Sequence, residues 1–359
     1  MKKTLLTLAL STVLSGAVMA TANACTTWVT DTSHGVTVTR SVDWGTPLGG
    51  IAHLVPKGSQ LTSPEFTQYA QSAKWTSRYQ VMNIEEYESF HGAAVSAINL
   101  DTGMSANGQY MEDSQPFLKQ HQDSGAPAVA LAQLTSYITG NYANVAEVKQ
   151  ALEQGEFQIA WAGGLAGGEH GVHFSVQDKD NNTLLIQLDE GGEQKLYHNQ
   201  DDLRSMVNAP LQQYHREYVA GLEMDKPETL TKMSAHISSK ERNARLLFLS
   251  NNAKLDNSEA SWAQTEGKVL GLFDRAVLVP QDIIDPDNGD TYATWVSYVY
   301  NFEQASFKFR NHDTYNDVRI DLNELKDAQQ PLCADLVEQS NAGYQYAQWS
   351  SCELELATH

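Results

Sequence analysis

CTTWVTDTSHGVTVTRSVDW, residues 25–44, alternates apolar with hydroxylated or charged positions on either side of a Ser33-His34-Gly35 turn. Period-two runs rich in Val and Thr and broken by a Gly-containing turn predict two paired strands, Cys25 to Thr30 and Val36 to Ser41. Cys25 stands at the outer end of that hairpin.

The 24 residues before it have the three parts of a secretory signal: Lys2 and Lys3, an apolar core from Leu5 to Val18, and the small-residue site Ala22-Asn23-Ala24. They are expected to be removed, leaving a periplasmic or secreted chain that begins at Cys25. The apolar run is short for a bilayer span, and no later stretch approaches the roughly 20 apolar residues a spanning helix needs. A cysteine in this position has three readings: half of a disulfide, a lipid attachment point, or a nucleophile. Cys333 and Cys352 lie together in the tail, and an oxidising compartment favours pairing them with each other, which leaves Cys25 odd. Lipidation usually wants a Leu three residues before the cysteine, where this chain has Ala22. An N-terminal amine titrates at about 7.7–8.0, so near neutral pH it can take the thiol's proton without a histidine. Hydrolysis through a thioester would further require donors for the oxyanion and charged neighbours for the thiolate.

Without the signal the chain has 335 residues (359 − 24) and a formal charge of −22 (−20 − 2, as Lys2 and Lys3 leave). An acidic chain with no Lys/Arg run argues against nucleic acid or an anionic membrane as partner. Beyond the hairpin, strands are expected at Ala93 to Asn99, after a Leu100 to Gly103 turn through Tyr110, at His173 to Asp178 and Thr183 to Leu188, and at Tyr292 to Tyr300 and Ser306 to Arg310. Helical spacing covers Ala126 to Thr139, Val145 to Gln154 with Asn144 as its cap, and Glu241 to Ser250. The Gly-rich block Ala162 to Gly168 lacks the Gly-Lys-Ser/Thr ending of a phosphate loop and is read as a loop. His170 and His173 have no Cys or carboxylate cluster at ligand spacing, so no metal is expected on them, and strand-edge placement is the simpler reading. Strands, helices and strands again predict a layered α+β domain of two packed sheets with helices outside. It is expected to span residues 25–325, followed by an extension, 326–359, stapled by Cys333 and Cys352.

Several segments carry a family resemblance. Cys25-Thr26-Thr27 with Arg40-Ser41-Val42-Asp43-Trp44 resembles the opening of the choloylglycine hydrolase family, which contains penicillin V acylases and bile salt hydrolases. Lys74 to Tyr79, Asn99 to Met104, His173 to Val176, Val207-Asn208-Ala209-Pro210 and Arg242-Asn243-Ala244-Arg245 resemble further family segments in the same order. Thr294-Trp295 departs from the pattern, which places one residue between the two. The resemblance implies an N-terminal nucleophile hydrolase with a four-layer αββα sandwich. It also implies a homotetramer, no cofactor, and a small-molecule N-acyl amide as partner.

Residue by residue, the resemblance assigns Cys25 as nucleophile, Arg40 as the charge favouring its thiolate and Asp43 as the acceptor holding its amine. Asn208 offers its side-chain amide to the oxyanion, and Arg242, with Arg245 as competitor, completes the charged shell. The second oxyanion donor falls on the Tyr110 backbone N–H, or on Asn107 or Asn99 under another gap placement; Tyr at this position leans away from bile salts. Trp44 resembles a residue that lines the acyl pocket in a subset of the family, whose members also resemble acylases of N-acyl homoserine lactones. The expectation is an exported cysteine amidohydrolase of the penicillin V acylase type. A conjugated bile salt hydrolase is the alternative, and a non-catalytic exported binding protein or lipoprotein anchored through Cys25 is a third reading.

Overall fold

A computed structural model describes residues 25–286, 289, 291–354 and 356, so the expected export signal lies outside the described residues. In chain order the strands are β1 (Thr26–Thr32), β2 (Gly35–Trp44), β3 (Ile51–Val55), β4 (Gln60–Thr62), β5 (Lys74–Thr76), β6 (Val81–Glu86), β7 (Ala93–Asn99) and β8 (Met104–Tyr110). They continue with β9 (Ala128–Val129), β10 (Gln158–Ile159), β11 (Val172–Asp178), β12 (Thr183–Leu188), β13 (Gln194–His198) and β14 (Ser205–Val207). The last are β15 (Ala293–Asn301), β16 (Ser306–Asn311), β17 (Asp317–Asp321), β18 (Leu332–Asp335) and β19 (Ser350–Ser351). The helices are α1 (Leu134–Asn141), α2 (Val145–Gln154), α3 (Gln212–Ala220), α4 (Ser239–Asn252), α5 (Trp262–Val277) and α6 (Leu336–Asn341).

Among the described residues, the smaller of two large sheets has the order β14-β1-β2-β15-β16-β17 and the larger β13-β12-β11-β8-β7-β6-β3-β18-β19, with β9/β10 and β4/β5 as separate two-stranded pairs. Alternation along each strand gives each sheet two faces. The inner faces meet in one apolar cluster, with Leu54, Met82 and Leu185 from the larger sheet against Tyr298, Phe307 and Phe309 from the smaller. Ile138 of α1 and Val148 of α2 bury the outer face of the larger sheet, and Leu246 of α4 with Phe273 of α5 packs on Trp28 of β1. Three apolar interlayers separate four layers, the expected αββα sandwich, and each fully buried Leu or Phe contributes about 1.5–3 kcal/mol. A polar seam crosses the central interlayer. Ser96 donates to Asn107 Oδ1 (2.7 Å), Asn107 Nδ2 donates to Gln177 Oε1 (2.9 Å), and the Tyr300 hydroxyl donates to Ser105 (2.9 Å). Buried polar groups of this kind persist because they satisfy one another.

Local expectations fare unevenly. The Asn144 cap forms, its side chain accepting from the Glu147 N–H at 3.0 Å, and α2 ends at Gly155 with a left-handed φ of 67°. The helix expected from Ala126 begins only at Leu134. Pro127 disfavours helix in the residue before it, and partners elsewhere in the chain take the following amides: Ala128 N–H donates to Gln71 O, and Ala130 N–H to Ser63 Oγ (2.7 Å). His173, read at a strand edge, is buried in β11, an interior strand of the larger sheet. The Cys333–Cys352 disulfide is formed. It holds β18 and β19 along the edge next to β3, where Cys333 faces His53 across the ladder.

Candidate active site

Register brings the site together. Thr26 pairs with Ser41 on β2 and with Val207 on β14, so the next pair along each ladder sets Cys25 between Val42 and Asn208. Alternation then sorts the neighbours of Cys25 by face. Arg40 shares the inner face with Cys25 and Val42, whereas Thr26, Ser41 and Asp43 turn outward to the α4/α5 layer. Two arginines therefore approach the thiol from opposite layers, one through the sheet interface and one through the helices.

Arg40 is fully buried, and its Nη2 donates to the Gly108 carbonyl on β8 in the facing sheet. Its Nε and Nη1 are buried without a hydrogen-bond partner among the described residues. Arg242, also fully buried, projects from α4. Its guanidinium donates to Asp43 Oδ2 (3.2 Å), Thr26 Oγ1, Ser239 Oγ (2.8 Å) and the Ile237 carbonyl (3.0 Å). The competing Arg245 points elsewhere, to the carbonyls of Ala276 (2.7 Å), Ser234 (2.6 Å) and His236 (3.0 Å). Asp43 Oδ2 also accepts from Ser41 Oγ at 3.3 Å. Its Oδ1 is buried with no donor in good hydrogen-bond geometry among the described residues, although the Thr294 hydroxyl is close enough to lower the carboxyl's proton affinity. Burial, opposed chiefly by Arg242, raises the Asp43 pKa to about 6. Burial likewise raises the Cys25 thiol, against the pull of Arg40 and Arg242 and with the further push of Asp43. Two guanidiniums and one carboxylate leave a net charge of +1 around the sulfur (+2 − 1), a sign that favours thiolate.

Asn208, 2% exposed, directs Nδ2 to the Tyr110 carbonyl at 2.6 Å. A primary amide has two N–H donors, so a second remains beyond that bond. In an extended strand a residue's N–H and C=O lie on the same side. The Tyr110 N–H therefore faces the Asn208 side, away from β11, consistent with the adjoining Met111 N–H donating to Gly171 O (2.8 Å). The alternatives are committed elsewhere. The Asn107 backbone lies inside the sheet, paired with Ser96 and Ser175, and that of Asn99 is paired with Val81 and Met104. Sequence reasoning missed His215 of α3, whose buried ring lies 2.9 Å from the Asn208 carbonyl and fastens that loop. Burial lowers His215 to about 4, so at neutral pH the ring is uncharged and Nε2–H donates. Its spacing from Asn208 carried no recognisable signal.

In front of Cys25 lies a cavity continuous with solvent. Cys25, Arg40, Asp43 and Tyr110 line its polar end; Trp44, Phe90, Leu131, Leu165, Val172 and Phe174 make the rest apolar. Trp44 packs edge-on against Phe90 (centroids 4.7 Å apart) and against Tyr110 (5.9 Å). A bulge interrupts the β6/β7 register beside Val95, so the consecutive residues Ala93, Ala94 and Val95 all border the cavity. Bulges re-aim side chains in this way. A second bulge, at Trp295, separates the Thr294–Asp43 and Val296–Val42 pairs, and Trp295 Nε1 donates to the Trp44 carbonyl (2.9 Å). This is the place where the Thr-Trp spacing departs from the expected pattern. A buried thiol between two cations, amide donors beside it and an apolar cavity in front can bind an acyl group and attack its carbonyl.

Comparison with known proteins gives a consistent family. Residues 25–247 match the family described as linear amide C–N hydrolases, choloylglycine hydrolase family. A penicillin V acylase of Pectobacterium atrosepticum is 24% identical over 177 residues, 48% of this chain and 44% of that relative, so the match spans under half of the relative's length. Among solved structures, a penicillin V acylase from Agrobacterium tumefaciens is similar with a TM-score of 0.75 and 20% identity, covering 92% of this chain and 98% of that one. A conjugated bile acid hydrolase from Clostridium perfringens, solved as a single-residue variant, gives a TM-score of 0.66 and 13% identity over 93% of this chain and 99% of that one.

Of the two arginines, Arg40 pulls more strongly on the thiol. Replacing it as Arg40→Met should raise the Cys25 pKa and slow alkylation by iodoacetamide near neutral pH, by about tenfold per unit of pKa rise. An unchanged rate in a variant with native circular dichroism would show that Arg40 does not tune the sulfur.

Proposed function

Because the chain belongs to the choloylglycine hydrolase family of linear amide C–N hydrolases, we propose that it is an exported N-terminal cysteine acylase of the penicillin V acylase type. The observation that carries this reading is an apolar cavity whose polar end is lined by Cys25, Arg40, Asp43 and Tyr110, with Asn208 bonded to the Tyr110 carbonyl and Arg242 paired with Asp43. Removal of residues 1–24 during export would free the Cys25 amine, and the buried Asp43 Oδ1 offers it an acceptor. The amine takes the thiol proton as sulfur attacks the amide carbonyl. Asn208 Nδ2 and the Tyr110 N–H receive the developing oxyanion, and the ammonium passes its proton to the departing amine. Water, deprotonated by the same amine, then releases the acid from the thioester. Neither step calls on a cofactor.

Substrate class follows from the cavity. Trp44 and Phe90, in edge contact, add aromatic walls to the apolar lining, which suits a phenoxyacetyl group or a linear acyl chain. N-acyl homoserine lactones carry such a chain on an exocyclic amide, and an exported enzyme would meet them. The lipid-anchor reading is disfavoured, since Cys25 is 6% exposed and a diacylglyceryl group on it would have to fill the cavity.

A hydrolysis panel of penicillin V, conjugated bile salts and N-acyl homoserine lactones of several chain lengths tests the reading. Turnover of the first or last class above bile salts is expected, with Cys25→Ala inactive and folded. Cleavage confined to bile salts would remove the penicillin V acylase assignment, and activity retained by Cys25→Ala would remove the nucleophile. Asn208→Ala should lower kcat by about 100- to 1000-fold with a small change in KM; an equal rise in KM would instead indicate a ground-state contact. Asp43, ionised above about pH 6, binds the amine only as carboxylate. Activity, already limited by protonation of the amine, should therefore fall more steeply as pH drops through about 6, and this second limb should vanish in the residual activity of Asp43→Asn; a second limb that persists there belongs to another group.

A further inference from the structure

At the far edge of the larger sheet, outside the Cys25 cavity and sharing no lining residue with it, a buried histidine faces the disulfide. We propose that His53, Cys333 and Cys352, once the disulfide is reduced, bind a thiophilic divalent cation of the zinc type.

The β3/β18 register sets His53 opposite Cys333, and the disulfide brings Cys352 to the same place. One ring nitrogen of His53 and the two sulfurs lie within 4.8 Å of one another. The ring is oriented from behind. Nδ1 is 3.1 and 3.2 Å from the two Glu85 oxygens, and Glu85 is itself fixed by Asn83 Nδ2 (3.1 Å) and the Tyr87 hydroxyl (2.8 Å). Nε2 is buried without a hydrogen-bond partner among the described residues, in a side chain only 2% exposed. A buried ring nitrogen left unpaired while its partner nitrogen is held by a fixed carboxylate requires a reason, and carboxylate-backed imidazole is the usual arrangement behind a histidine ligand. Ligands at zinc distances of about 2.3 Å for sulfur and 2.0–2.1 Å for nitrogen stand about 3.5–3.8 Å apart around one tetrahedral ion. Within the 4.8 Å span the ring nitrogen is in reach of both sulfurs, which must move apart to that spacing once their bond is broken.

Oxidation state gates the site. In the disulfide both sulfurs are bonded to each other and neither is a thiolate. A dithiol or phosphine reductant supplies two electrons, two protons complete the thiols, and the reductant leaves as its disulfide or phosphine oxide. Both cysteines are partly exposed, so such a reagent can reach them. The cation then displaces the two thiol protons to solvent, giving two thiolates, the His53 imidazole and a fourth position for water. The inference is independent of the proposed acylase activity.

The test uses the mature chain carrying Cys25→Ala, which removes the third thiol, with cobalt(II) as probe. After phosphine reduction in native buffer, verified by titration of two thiols, one cobalt per chain should give near-ultraviolet thiolate charge-transfer absorption. The unreduced protein should give none, and zinc should displace the signal. Glu85→Gln should weaken cobalt binding by about 10- to 100-fold, and His53→Gln by at least as much. Absence of the band in reduced protein with native circular dichroism would overturn the proposal. So would a disulfide that resists reduction until the chain unfolds, or wild-type affinity in Glu85→Gln, which keeps the side-chain shape and decides the matter if His53→Gln does not fold.

Discussion

Arg40 is a guanidinium sealed between two β-sheets, held by the Gly108 carbonyl across the interface and left with Nε and Nη1 unpartnered among the described residues. Taking such a charge out of water costs several kcal/mol, and no close ion pair among the described residues offsets it. The remaining structure can be understood as what tolerates that charge: three apolar interlayers for stability, a polar seam in the same interlayer, and a carboxylate at Asp43 that pairs with the second arginine, Arg242. The same uncompensated positive field falls on the Cys25 sulfur, which burial alone would keep protonated. Stability given up at Arg40 is thus available as bias toward thiolate.

The second arginine shows how layers rather than strands assemble the site. Arg242 comes from α4, 199 residues beyond Asp43 in sequence, and reaches it because α4 lies on the outer face of the sheet that carries Thr26 and Asp43. On the inner face the facing sheet supplies Gly108 and Tyr110. Cys25 sits where these surfaces meet, at the ends of β1 and β2, and the two nearby bulges at Val95 and Trp295 open and shape the cavity there.

Much of this was legible in residues with local signatures. The 25–44 hairpin, the Asn144 cap and the order of strands and helices follow from periodicity and turn chemistry. Arg40, Asp43, Asn208 and Arg242 were marked as a set by the family resemblance, and the structure brings them around Cys25. Other parts carried no such mark. The late start of α1 depends on Gln71 and Ser63 taking backbone amides after Pro127. The whole of α5 went unread although Ser261 and Gln264 open it with a capping box. Phe90, Leu131 and Leu165 are ordinary core residues by sequence, and only the folded cavity distinguishes them. The choice of Arg242 over Arg245 depended on which side of one short helix faced the sheet.

By itself the sequence determined the layered α+β architecture and the 25–44 hairpin, because these are written in period, turn chemistry and capping within short windows, while the site residues were marked only through the family resemblance. Tertiary structure alone decided that two buried arginines flank Cys25 from opposite layers, that the Tyr110 N–H turns to the Asn208 side, and that His53 faces the tail disulfide. Those relations join residues far apart in the chain through register and layer packing, and burial sets their electrostatics. No local window contains both partners.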